Sequence, residues 1–120
     1  MQRGRIIGIL WLALLMFLAL LPEPFKGRVA TFGFGHKCAH IAVFTVAFLL
    51  IATRLKGWGQ PAILGLLLLV FGSALELLQT RVYHIPIEYS DISANAAGIL
   101  LGFLSRTIWR SNAARDGLEL

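Results

Sequence analysis

Four apolar runs dominate the chain, at about Ile6–Leu21, Ala39–Thr53, Pro61–Leu78 and Ile92–Ile108, with short polar connections between them. Each is 15 to 18 residues long, slightly under the ~20 that cross a ~30 Å hydrocarbon core at ~1.5 Å per residue. Flanking residues, snorkelling Lys and Arg side chains or local bilayer thinning cover that difference. The runs carry almost no polar face, so nothing in the chain is left to shield them from water. In hydrocarbon a span must satisfy its own backbone hydrogen bonds, and that requirement selects helices. The pattern therefore predicts an all-α fold, a single transmembrane domain over residues 1–120 built as an integral membrane bundle of about four transmembrane helices.

Composition agrees. Of 120 residues, 58% are hydrophobic and 14% charged, too little polar surface for a soluble domain with the high surface-to-volume ratio of a small chain. The net charge of +5 raises the question of nucleic acid. The 11 Lys and Arg residues, however, sit in short clusters between apolar runs, with no basic stripe and no interleaved aromatics, so no nucleic-acid partner is expected. A single cysteine, Cys38, excludes an intrachain disulfide and any CxxC metal site. Arg3 and Arg5 ahead of the first run imitate a secretory signal. That run ends in Leu21-Pro22-Glu23-Pro24 without a small-x-small cleavage pattern, so an uncleaved first helix is expected.

The basic residues also predict an orientation. Arg3, Arg5, Arg54, Lys56, Arg106, Arg110 and Arg115 fall on one side of a four-span topology, and Lys26, Arg28, Lys37 and Arg81 on the other. Seven against four favours a plasma or inner membrane protein with both termini cytoplasmic. Trp58 and Trp109 then lie at the inner boundary, and Tyr83 and Tyr89 at the outer one, as interfacial aromatics do.

In that topology three polar pairs meet at one external depth. Lys37 and His40 begin the second span, Glu76 and Gln79 end the third, and Asp91 and Asn95 open the fourth, each pair on one helical face. Gly65, Gly72, Glu76 and Gln79 form a stripe on the third span, with Ser73 beside it. Asp91, Asn95, Gly98, Gly102 and Ser105 form another on the fourth. Gly72, Gly98 and Gly102 are the expected helix-packing positions, and Gly98-x-x-x-Gly102 is a small-xxx-small pattern. The stripes predict that the third and fourth helices pack against each other, with the carboxylates at the outer end of the seam.

Simpler roles stand beside these. Asp91, with Ser90, suits a helix N-terminus; Lys37 suits an interfacial anchor; Arg81 suits a loop. Glu76 lies a turn or more inside its apolar run, where a charge costs on the order of 2–3 kcal/mol at the helix centre and less towards the interface. Such a residue pairs or marks a functional path, and Lys37 or His40 is its expected partner. His36, His40 and His84 with Glu76 and Asp91 could be read as metal ligands, His36 and His40 standing at i, i+4. With no HExxH motif and His84 in a loop, no metal and no cofactor are expected. Ser73, Ser90 and Ser93 lack a nucleophile-elbow context, and no catalytic residue is assigned.

Three motifs resemble VanZ-like membrane proteins over about residues 35–104. Gly35-His36-Lys37-Cys38-Ala39-His40-Ile41-Ala42-Val43-Phe44 resembles the family's DKxxHxxxF/Y entry, Glu76-Leu77-Leu78-Gln79 its ExxQ, and Asp91 to Gly102 its DxxxNxxGxxxG. His36 replaces the usual leading Asp. The Arg usually found a few residues before Asp91 is missing, Arg81 lying ten residues upstream. The resemblance implies a small polytopic protein of the bacterial cell envelope, associated through its namesake with low-level resistance to the glycopeptide teicoplanin, without a settled biochemical activity.

Three functions fit the pattern. In the first, the external cluster of Lys37, His40, Glu76, Gln79, Asp91 and Asn95 engages a membrane lipid headgroup or a lipid-linked cell-wall precursor. Cations there would meet phosphate, and carboxylates and amides would orient hydroxyls. In the second, the pairs lock helices together and the protein is an assembly subunit with a membrane partner or further copies of itself. The third is an intramembrane enzyme with Glu76 or His40 as general base, which needs a substrate proton within ~3 Å.

Overall fold

The computed structural model describes residues 2–19 and 34–118, and these are helical apart from short connections. The four helices are α1 (Gln2–Ala19), α2 (Phe34–Ala52), α3 (Gly59–Tyr83) and α4 (Tyr89–Arg115). The Leu21-Pro22-Glu23-Pro24 break and the basic residues Lys26 and Arg28 lie outside the described residues, as does the side chain of His36.

Local chemistry sets the helix ends. Gly57, at φ 63°, turns the chain after α2. Pro61 stands in the first turn of α3, where its missing N–H costs no intrahelical bond. His84 closes α3 in the left-handed region at φ 54°, with Pro86 two residues on. Arg81 sits in the last turn of α3 and Asp91 in the first turn of α4, each on the side its charge favours in the helix dipole.

Among the described residues α3 is the helix long and apolar enough to cross a membrane, and only 22% of its apolar window is buried within the protein. The apolar stretch of α2, Lys37–Ala52, is shorter. Low burial sets α3 apart from the core helix of a water-soluble domain. Ile63, Leu66, Leu67, Val70 and Leu77 all project outward from it.

The core forms where α2, α3 and α4 meet, around Phe44, Phe48, Ala52, Leu68 and Ile99. The most extensive interface joins α2 to α4, and its cause is the glycine stripe of α4. A Cβ on Gly98 would stand 2.5 Å from the carbonyl oxygen of Ile41, and one on Gly102 would stand 2.9 Å from the ring of Phe48. The partner of these two glycines is therefore α2, not the third span as the stripes suggested. Thr45 ties the same seam, its hydroxyl lying 2.7 Å from the Ile41 carbonyl and 2.9 Å from that of Gly98. Two glycines within α3, Gly65 and Gly72, lie over this pair of helices. Gly72 faces Phe44 and Asn95, and Gly65 faces Ile99 and Phe48. α1 packs antiparallel on the outside of α2, with the Trp11 indole N–H donating to the Val43 carbonyl at 3.3 Å.

Candidate functional site

The start of α2, the end of α3 and the start of α4 share one end of the bundle. There His40, Glu76 and Asp91 bring one ligand atom each within 4.8 Å of one another. Helical periodicity explains the convergence. His40 lies four residues before Phe44, Glu76 four after Gly72, and Asp91 and Asn95 seven and three before Gly98. Every member thus continues a packed face by whole turns.

Asn95 sits at the centre and is 1% exposed; Glu76 and Asp91 are 6% and 4% exposed. The imidazole of His40 lies with Nδ1 2.7 Å from Asn95 Oδ1. An amide oxygen can only accept, so the ring donates its Nδ1–H there and directs Nε2 the other way. Nε2 stands 3.7 Å from Asp91 Oδ2, an ion-pair distance longer than a hydrogen bond. The His40 side chain keeps 20% of its surface exposed, which makes it the accessible edge of an otherwise enclosed cluster.

Two residues of the expected set stand apart. Lys37 is exposed; of the two expected partners of Glu76 it is His40 that lies beside it, together with Asp91. Gln79 is half-buried, one turn nearer the end of α3. Of the expected packing positions, Gly72 meets Asn95 directly, a Cβ there lying 2.8 Å from Nδ2. Ser105 is half-buried and its hydroxyl donates to Leu101 within its own helix at 2.8 Å. His84 is exposed in the connection after α3.

Comparison with family models, with curated proteins and with solved structures gives no match. The geometry of the site therefore carries the functional argument.

A second polar centre occupies the opposite end, where α2 ends and α4 nears its close. Arg106, 4% exposed, donates from Nε to the Ala52 carbonyl at 2.9 Å, from one terminal nitrogen to Leu55 at 2.6 Å and from the other to Gly57 at 3.3 Å. Arg110 adds a contact to the Leu55 carbonyl at 3.2 Å. The guanidinium fork suits this task, since the end of a helix offers several carbonyls without intrahelical donors. Sequence reading counted Arg106 only as a topology-setting charge. The overlooked signal is its spacing: Gly98, Gly102 and Arg106 recur every four residues, which puts Arg106 on the face that packs against α2.

Proposed function

We propose that the chain is a polytopic membrane protein whose His40–Glu76–Asp91–Asn95 cluster recognises the polar headgroup of an envelope lipid or a lipid-linked cell-wall precursor. In this reading all four helices lie in the bilayer, both termini face the cytoplasm and the cluster lies at the outer end. The observation that carries it is the burial of two carboxylates and an amide, contributed by two helices, beside a third helix's histidine. Close packing alone is achieved by the glycines and needs no ionisable group. Ionisable residues inside a membrane bundle are costly and mark binding or transport sites. The exposed edge of His40, with exposed Lys37 one turn beyond it, is where an anionic headgroup would make contact.

Support for the multi-span arrangement comes from exposed apolar side chains on helices other than α3. Ile6, Ile7, Ile9 and Leu10 of α1 and Leu100, Leu101, Leu104 and Ile108 of α4 are all at least 49% exposed. Surfaces of that extent are seldom left to water. The motif resemblance adds the expectation of an envelope role connected with glycopeptide tolerance.

The orientation has a direct test. Val82, half exposed near the end of α3, is replaced by cysteine in a Cys38→Ser background. A membrane-impermeant maleimide should label Val82→Cys in intact cells. Labelling only after lysis would reverse the topology and turn the cluster towards the cytoplasm.

A helix-locking role is the second reading, favoured by the near-complete enclosure of Glu76, Asp91 and Asn95. The two readings part in a binding measurement. Purified protein is placed in phosphatidylcholine nanodiscs with or without a polyprenyl phosphate, and retention of that lipid after detergent exchange is measured by mass spectrometry. Headgroup recognition predicts selective retention, lost in His40→Gln while the protein stays monodisperse. Equal retention in wild type and His40→Gln would leave the locking role.

A further inference from the structure

We propose that His40, Glu76 and Asp91 form a binding site for one divalent transition-metal ion of the zinc class. The inference rests on the functional reading of the cluster and deepens it, since a held cation would supply the positive charge that a phosphate headgroup meets at the His40 edge.

The donor set points to the ion. One imidazole nitrogen and two carboxylates make a mixed nitrogen and oxygen site, whereas magnesium and calcium prefer all-oxygen surroundings. The three ligands come from three different helices, so the scaffold and not a flexible loop positions them. The separations are close to those required. Two ligands on a tetrahedral ion with bonds of ~2.1 Å lie ~3.4 Å apart. His40 Nε2 and Asp91 Oδ2 are 3.7 Å apart, and all three ligand atoms fall within 4.8 Å of one another. Binding an ion would draw the widest pair in by up to about 1.4 Å, the difference between 4.8 Å and the ~3.4 Å of a tetrahedral site.

The orientation of His40 fits the same purpose. A metal-bound histidine normally gives its other ring N–H to an oxygen acceptor, which fixes the tautomer and aims the ligating nitrogen. Asn95 Oδ1 plays that part at 2.7 Å. Asn95 is itself packed against Gly72, where an added Cβ would stand 2.8 Å from its Nδ2 and force it to shift. Asn95 is thus a positioning residue for the metal ligand, and this gives a physical reason for an amide buried to 1% exposure. Three protein ligands leave a coordination position open, and the accessible side of the cluster is the His40 side.

Cobalt(II) is the probe, because its visible absorption reports the geometry and number of its ligands. Protein purified in detergent in a Cys38→Ser background is stripped with a chelator, dialysed and titrated with Co²⁺, then with Zn²⁺. Saturation at one Co²⁺ per chain is expected, with displacement by one equivalent of Zn²⁺ and a rise in melting temperature on Zn²⁺ binding. His40→Gln, Glu76→Gln and Asp91→Asn should each weaken binding by tenfold or more. His84→Gln, in the exposed connection, should bind as wild type does. Asn95→Ala should bind more weakly and show an altered Co²⁺ spectrum, a change that loss of packing alone would not produce.

Wild-type protein that fails to saturate at one Co²⁺ per chain overturns the site without reference to any variant. Folded Asp91→Asn or Glu76→Gln that binds like wild type overturns it equally. Retention of polyprenyl phosphate in nanodiscs, measured with and without chelator, separates this inference from the reading beneath it. Co²⁺ binding without lipid retention supports the metal site and defeats headgroup recognition. Lipid retention that is unchanged by chelator, in protein that binds no Co²⁺, does the reverse.

Discussion

Arg106→Met should destabilise the folded bundle by roughly 2–4 kcal/mol, the loss expected for removing the charge-assisted hydrogen bonds of a buried guanidinium. The estimate follows from the acceptors. Ala52 O already takes the backbone N–H of Leu55, and Leu55 O keeps Arg110. The loss therefore falls mainly on the charge-assisted bonds themselves and on the packing of a side chain that is 4% exposed, since Gly57 is exposed and its carbonyl can turn to water. Arg106→Lys should recover only part, because an ammonium lacks the planar fork that reaches three carbonyls at once. Arg115→Met, exposed in the last turn of α4, should stay within about 0.5 kcal/mol of wild type. Denaturation in detergent, followed by circular dichroism, provides the measurement. If Arg106→Met and Arg115→Met behaved alike, the clamp would be a surface contact and not a structural tie.

That clamp marks the limit of what the sequence disclosed. The apolar runs and the polar connections between them made the helices legible, because helix formation depends on near neighbours. Glu76, Asp91 and Asn95 were legible for a different reason. A charge or amide on an apolar helix face needs a local explanation, and one-dimensional spacing exposes it. Which helix each face meets is a property of the whole bundle. Lys37 shares a face with His40 in sequence, yet three residues along the helix separate an exposed ammonium from a ring held against Asn95. Arg106 was read by its charge, although its four-residue spacing from Gly102 carried the packing information. His40, Glu76 and Asp91 stood in the sequence among a wider set of possible ligands with His36 and His84, but their convergence was not legible, because they are 36 and 15 residues apart in the chain, from His40 to Glu76 and from Glu76 to Asp91. No local motif spans such intervals.

Gly98→Ala tests the seam that sets the site, and its expected effect is large for the addition of a single methyl group. In an exposed helix the same change stabilises by up to ~1 kcal/mol, through backbone entropy. Here the new Cβ would lie 2.5 Å from the Ile41 carbonyl oxygen and 3.1 Å from the carbon atoms behind it. Backbone atoms cannot rotate aside, so α2 and α4 must separate, at a cost of roughly 1–3 kcal/mol for overpacking. Gly102→Ala meets the Phe48 side chain instead and should be milder, since a ring can shift. Gly59→Ala, with nothing within 4 Å, should be neutral or slightly stabilising in the same denaturation assay. Equal stabilities for Gly98→Ala and Gly59→Ala would remove the α2–α4 seam from the account. The seam also governs chemistry. Ile41 directly follows His40, and Gly98 lies three residues after Asn95, so parting the helices at Gly98 parts the 2.7 Å contact between those side chains. Gly98→Ala that still folds should therefore bind Co²⁺ more weakly than wild type, although no ligand has been changed. Weakened stability with undiminished Co²⁺ affinity would mean that the ligands are positioned independently of the seam, by α3 or by the ion itself.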